Sequence, residues 1–332
     1  MKLQLVESLE MFANHPSAYL AQNRDTCIFQ DESSEGLIAY RDAGRGFSVM
    51  VGGVIAPDDR RAILLKKFVE HCNEKGRKVI AVQLLEEDAQ LCGQLGFTVN
   101  QLGSSYCVKL PDFSFKGTRF IRLRNKISRS KRAGVVIKEV GKDIPASDFL
   151  TNQVSEIDSE WLEEKGKKEL TFLIGELGDL SSLDQNLQRV FIAELDGQVV
   201  GYILYSKCFG QLSGWMHDLS RRRRVIPPGV MEHINAHALE QIKSEGSTYL
   251  HFGFTPLTGL EHSLELENYF SSRAAWVLKK LAKHGSFVYP AESQLQYKKK
   301  WFPDLILPEY VAFQGGFSLS ALWNLLRLTR AL

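Results

Sequence analysis

Cysteine is scarce and scattered: Cys27, Cys72, Cys92, Cys107 and Cys208 make an odd number with no Cys-x-x-Cys pair. A disulfide framework and a zinc-ligand spacing are both excluded, and a reducing compartment is expected. Long apolar runs are missing as well. No window of about 18 uncharged apolar residues occurs, and the opening stretch carries Glu7 and Glu10 where a secretory leader needs an unbroken apolar core. The expected location is the cytoplasm. Net charge is almost absent, with 41 Lys and Arg against 39 Asp and Glu. His217, His233, His237 and His251 lack a third partner at ligand spacing, so no metal is expected. What remains is an ordinary globular composition, 44% hydrophobic and 24% charged. The 332 residues exceed the roughly 100–200 of a typical domain, so two units are expected.

The near-neutral sum hides segregation. Lys116, Arg119, Arg122, Arg124, Lys126, Arg129, Lys131 and Arg132 fall in 17 residues without one acid, whereas acids dominate over 143–196. Further basic clusters are Arg221 to Arg224 and Lys298 to Lys300, which makes a polyanion partner reasonable. Aliphatic and β-branched runs predict strands over 36–40, 47–55, 79–84, 105–110, 135–140, 190–195, 199–206, 212–219 and 249–254. Apolar residues at steps of three and four predict helices over 59–75 and 230–245. Strands interleaved with such helices define an α/β (α+β) class.

One internal similarity stands out. Val54-Ile55-Ala56-Pro57, a helix, Asn73-Glu74-Lys75-Gly76 and Val79-Ile80-Ala81-Val82 are echoed about half a chain later. The echo is Val225-Ile226-Pro227-Pro228, a helix, Lys243-Ser244-Glu245-Gly246 and Tyr249-Leu250-His251-Phe252. Each copy has strands before the helix and one after it, which resembles the acyltransferase fold of the GNAT type. The expected plan is two tandem GNAT-like units with mixed, mostly antiparallel sheets. They span 1–115 and 135–316, joined by a basic helix at 116–134, with an amphipathic helix at 317–332. A GNAT unit holds its acyl-CoA pyrophosphate on free N–H groups of a glycine-rich loop at a helix N-terminus. Here that loop reads Arg223-Arg224-Val225-Ile226-Pro227-Pro228-Gly229, and two prolines remove two donors. In the first copy Ala56-Pro57-Asp58-Asp59 sets carboxylates at the same place. No CoA cofactor is therefore expected.

Several motifs then run in order along about 15–315. Phe113-Ser114-Phe115-Lys116-Gly117 leads into Leu123-Arg124-Asn125-Lys126; Trp161 precedes Glu169-Leu170-Thr171-Phe172-Leu173-Ile174-Gly175. His217-Asp218-Leu219-Ser220-Arg221-Arg222-Arg223 continues to Pro228-Gly229-Val230-Met231-Glu232, followed by His251-Phe252-Gly253-Phe254-Thr255-Pro256-Leu257. Tyr297-Lys298-Lys299-Lys300-Trp301-Phe302-Pro303 and Pro308-Glu309-Tyr310 close the set. Together they resemble the C-terminal catalytic domain of the phosphatidylglycerol lysyltransferase and alanyltransferase family. The first half departs from the family's Gly-Asp-Pro and Gly-Glu-Glu-Ala, reading Gly52-Gly53-Val54 and Gly103-Ser104-Ser105-Tyr106.

The resemblance implies an aminoacyltransferase that takes its acyl group from aminoacyl-tRNA, as a co-substrate, and esterifies a hydroxyl of a lipid, phosphatidylglycerol by preference. On that reading Asp218 handles the proton of the attacking hydroxyl while Arg221 and Arg223 bind phosphate; the plain alternative is an Asp218–Arg221 ion pair bracing a loop. Gly253, Pro256 and Leu257 form the turn beside the aminoacyl pocket, or an ordinary strand-to-helix turn. Lys298 and Lys300 reach phosphate, and Glu169 meets the α-amino group. Arg119, Arg122, Arg124, Lys126, Arg129, Lys131 and Arg132 contact tRNA phosphates. An aminoacyl ester is already activated, so positioning carries most of the rate and no covalent intermediate is expected. The terminal helix places Leu319, Leu322, Trp323, Leu325 and Leu326 against polar residues, suited to a membrane interface or to docking on its own domain. Rival readings are a transferase acting on a small soluble metabolite, and a non-catalytic module that binds tRNA or membrane.

Overall fold

The computed structural model describes residues 2–31, 34–44, 46–164, 172–284 and 291–330. In chain order the elements are α1 (Lys2–Phe12), β1 (Cys27–Asp31), β2 (Ser34–Ala43), β3 (Phe47–Val51), α2 (Asp58–Glu74), β4 (Lys78–Leu84), α3 (Glu86–Gln94) and β5 (Phe97–Lys109). After them come α4 (Ile121–Arg132), β6 (Val136–Glu139), α5 (Asp148–Glu164), β7 (Gln188–Leu195), β8 (Gln198–Cys208) and β9 (Gly214–Arg222). The chain ends with α6 (Val230–Ser244), β10 (Tyr249–Pro256), α7 (Ser272–His284), α8 (Ala291–Lys299), β11 (Leu305–Gln314) and α9 (Leu319–Leu328).

The eleven strands of the described residues form one sheet, ordered β1-β2-β3-β4-β11-β5-β10-β9-β8-β7-β6. The repeat seen in the sequence is visible as two like units. β3 and β4 are parallel and joined through α2, and β9 and β10 are parallel and joined through α6. Both helices stop at a left-handed glycine, Gly76 (φ 66°) and Gly246 (φ 86°), the conformation that frees the last carbonyls for capping. The centre of the sheet is an exchange. β5, from the first half, lies against β10 of the second, and β11, from the second, is inserted between β4 and β5.

Period-two alternation splits the core between the two faces of the sheet. In β4, Ile80 and Val82 face the layer of α1, α7 and α9, while Val79 and Ala81 pack with Leu64, Leu65 and Phe68 of α2. In the second half Leu123 and Ile127 of α4 and Ile234, Leu239 and Ile242 of α6 cover one face. Leu150, Val154 and Ile157 of α5 cover the other. The spacing of Leu123, Ile127 and Ser130 turns one side of α4 inward and leaves Arg122, Arg129, Lys131 and Arg132 to solvent.

Candidate active site

Asp218 owes its position to a β-bulge. Leu204 pairs with Leu219 and Tyr205 with His217, so Asp218 is an extra residue on β9 with no strand partner, the kind of irregularity that re-aims a side chain. Its Oδ1 accepts from the Gly175 N–H at 2.6 Å and its Oδ2 from the Ser206 hydroxyl at 2.7 Å. A Cβ on residue 175 would stand 2.1 Å from Oδ2, so only glycine allows that approach. Burial raises the carboxyl pKa, and the two hydrogen bonds work against it. The buried Tyr19 phenol is pushed up to about 12 by burial, with the Asp218 and Asp184 carboxylates adding to it.

Arg221 is directed elsewhere. It is buried, with Nε 3.7 Å from Asp158 and its guanidinium 4.4 Å from the centre of the Trp161 ring. Burial lowers its pKa and Asp158 opposes that. The bracing Asp218–Arg221 pair weighed from the sequence is thus replaced by two separate arrangements, one on Gly175 and Ser206, one on α5. Arg223 donates to the Val199 carbonyl and to Glu156 at 2.9 Å, with Glu160 at 3.8 Å. Glu169 lies outside the described residues.

Lys298, on α8, is buried and donates to the carbonyls of Gly253 (2.7 Å) and Phe254 (3.0 Å). Burial brings its amine down to about 7, against the pull of Glu309. Glu309 is itself buried, accepts from the Ser105 hydroxyl and lies 3.6 Å from His15 Nε2. These groups sit where β5, β10 and β11 meet. Gly253 (φ 69°) lies within β10, at the register shift between His251 and Phe254, and not in the turn after the strand expected for it; Leu257 (φ 62°) turns the chain out of β10, and its N–H donates to the Leu102 carbonyl at 2.7 Å. Pro256 and Leu257 line a cavity of about 90 Å³, together with Ile174, the neighbour of Gly175. Gln83 (φ 51°) and Phe172 (φ 72°) are two more left-handed non-glycine residues close by, the Gln83 amide donating to the Leu173 carbonyl at 3.5 Å. Such strain gathers at functional sites.

Lys300 does not reach toward this centre. Its amine and that of Lys126 both bond Glu232 of α6, at 3.0 and 2.9 Å, and hold that carboxyl below its ordinary range although burial opposes them. The same contact clamps α4 over the start of α6, where Gly229 (φ 89°) is so close that a Cβ would stand 2.1 Å from the Lys126 carbonyl oxygen. The Lys126 backbone thus packs directly against Gly229 at the start of α6. Of the other α4 cations, Arg124 donates to the Phe115 and Gly117 carbonyls, whereas Arg122, Arg129, Lys131 and Arg132 are exposed. Arg119 precedes the helix and lies over the rings of Phe120 (4.9 Å) and Phe302 (5.4 Å).

Sequence reasoning missed Tyr19, Ser206, His15 and the Glu309–Ser105 pair. A hydroxyl at Ser206, inside the apolar run of β8, was the one available signal. Among the described residues no group of three or more His, Cys, Asp or Glu side chains could hold a metal ion.

A parallel-strand and helix unit occurring twice, with a bulged carboxylate midway along one central strand, gives a tandem GNAT-like architecture. The chain belongs to the family described as "Phosphatidylglycerol lysyltransferase, C-terminal", whose model matches residues 7–313. It is 25% identical over 274 residues to a phosphatidylglycerol lysyltransferase of Bacillus subtilis, covering 82% of this chain and 30% of that protein. A lysylphosphatidylglycerol biosynthesis bifunctional protein, LysX, of Mycolicibacterium gilvum is 22% identical over 298 residues, 89% of this chain and 26% of the relative. The chain thus spans about a third or less of these relatives' length. The solved structure of L-PGS from Bacillus licheniformis superposes with a TM-score of 0.79 at 22% identity, over 99% of this chain and 95% of that one, and shares the fold.

Proposed function

We propose that the protein transfers an aminoacyl group from aminoacyl-tRNA to a hydroxyl of phosphatidylglycerol at the inner face of the cell membrane. The reading is carried by Asp218, a half-buried carboxylate presented by a strand bulge and fixed by Gly175 and Ser206. In the step proposed, the acceptor hydroxyl oxygen attacks the aminoacyl carbonyl carbon and Asp218 receives its proton. The bond to the tRNA ribose oxygen breaks, the new ester forms, and the proton returns to that ribose oxygen, so Asp218 ends unchanged. Holding the two substrates in line supplies most of the acceleration.

The donor assignment rests on family membership and is supported by Pro227 and Pro228, which remove two N–H donors from the loop before α6. Exposed Arg119, Arg122, Arg129, Lys131 and Arg132 supply the phosphate-binding face, while Arg124 and Lys126 shape it from within. In this scheme Lys298 fixes the bulged end of β10 that walls the aminoacyl pocket. Arg223 holds α5, and Lys300 is tied to α6 through Glu232.

The test is incubation with radiolabelled lysyl-tRNA and phosphatidylglycerol vesicles, partitioned into organic solvent. Label in the organic phase, falling by about 10²-fold or more in Asp218→Asn at unchanged tRNA affinity, is expected. Label found only in aqueous products gives the acceptor to a soluble metabolite. Binding of tRNA without transfer by the wild-type protein from any donor reduces the chain to a binding module.

A further inference from the structure

We infer that the cavity between α7, α9 and the sheet takes the end of one acyl chain of an anionic phospholipid, and that α7 and α9 together form the surface that lies on the bilayer. The inference rests on the lipid acceptor proposed above and adds where the lipid tail is held.

The cavity is walled by apolar groups, among them Leu278 and Leu281 of α7, Leu322 and Leu326 of α9, and Phe254 and Leu257 at the end of β10. A dry, aliphatic space suits hydrocarbon and offers little to a sugar, a base or an amino acid. Leu173 and Ile174 close it on one side, and the next residue, Gly175, bonds the Asp218 carboxylate. Consecutive Cα atoms are about 3.8 Å apart, so a lipid whose tail enters the cavity would carry its headgroup hydroxyl toward Asp218.

The outer surfaces of the same two helices say what covers them. Trp276 of α7 is 63% exposed, and Leu319 and Trp323 of α9 are 69% and 55% exposed. Tryptophan beside cations is the composition of a membrane interface. Arg273, Lys279, Lys280 and Lys283 lie on α7, Arg327 and Arg330 on or just beyond α9, and neither helix contains an acid. Lys280 lies 5.6 Å from the Trp276 ring centre, a pairing that sets amine and indole at one depth. A protein or RNA partner would account for the charge or for the tryptophans, but not for an aliphatic cavity lined by the same two helices. An anionic bilayer accounts for all three, through charge complementarity, interfacial aromatics and a place for a withdrawn chain.

The experiment uses vesicles of equimolar phosphatidylglycerol and phosphatidylcholine doped with phosphatidylglycerol that bears a diazirine near the end of one acyl chain. After photolysis, adducts are expected on Phe254 to Leu257, on Leu278 or Leu281, and on Leu322 or Leu326. Leu326→Trp fills the space and should cut them about tenfold, the worth of one to two buried methylenes, while vesicle sedimentation stays at the wild-type level. Trp276→Ala with Trp323→Ala should instead weaken sedimentation itself, and phosphatidylcholine vesicles should hold the wild type poorly. Adducts confined to Trp276 and Trp323, adducts undiminished in Leu326→Trp, or equal sedimentation on phosphatidylcholine alone would each overturn the inference. Cavity adducts without any aminoacyl transfer would keep the tail site and sink the proposed reaction. Transfer to long-chain phosphatidylglycerol with no cavity adduct would do the reverse.

Discussion

Replacing Lys298 by methionine keeps the side-chain length and removes the amine that bonds the Gly253 and Phe254 carbonyls. Two opposed effects follow. Losing two buried hydrogen bonds destabilises by about 1–3 kcal/mol. Removing an amine whose pKa falls from 10.5 in the open chain to about 7 in the fold relieves a penalty on its charged form. The folded pKa is the lower one, so between about 7 and 10.5 the unfolded chain holds a proton that the native protein has released. Native stability therefore rises with pH through that window in the wild type, at up to about 1.4 kcal/mol per pH unit, and falls as pH drops back toward 7. The variant lacks this slope. Urea unfolding at pH 6, 7, 8 and 9, followed by fluorescence, should show methionine close to neutral or stabilising at pH 6 and clearly destabilising at pH 9. Parallel profiles for the two proteins would refute the claim that burial governs this amine.

Three further outcomes test other parts of the site. Gly229→Ala should lower stability by well over the roughly 1–2 kcal/mol of a left-handed alanine, because its Cβ meets the Lys126 carbonyl, whereas Gly246→Ala at nearly the same φ meets nothing within 4 Å and should lose only the conformational part; thermal melts compare them. Ser206→Ala removes a hydrogen bond that holds the Asp218 pKa down, so transfer should fall about tenfold and its acid limb should move to higher pH, read from a pH–rate profile. Reversing Arg129, Lys131 and Arg132 to glutamate should weaken tRNA binding and flatten its dependence on salt, measured by filter binding at several ionic strengths.

Strands with plain aliphatic composition were legible in the sequence: β2, β4, β7, β8 and β10 fall where the apolar runs predict them. So were α2, α4, α6 and α9, each marked by periodicity, charge or a left-handed glycine stop. The first half of β5 and all of β11 were not, although they lie at the centre of the sheet. Asn100, Gln101 and Ser104 precede the strand predicted over 105–110, and tertiary partners explain the extension: Asn100 bonds the Ser271 carbonyl, Gln101 that of Gly259 and Ser104 that of Thr258. Pro308 argues against a central strand, yet β11 accommodates it next to a register shift at Glu309 and Tyr310. For the site, sequence identified Asp218 and Lys298 through their motifs. Their partners Gly175, Ser206 and Glu309 lie 11 to 43 residues away in sequence, and although Gly175 and Glu309 fall inside the motifs, nothing local marks them as partners.

The crossing of β5 and β11 also bears on how the chain comes to be folded. β4 and β5 each keep a bare edge until residues 305–314 arrive to fill the gap between them. Neither half can finish until residues 305–314 have left the ribosome, and the two complete each other there. A premature stop before Leu305 would therefore leave two adjoining strand edges open to another chain, and aggregation rather than a truncated but active enzyme is its outcome.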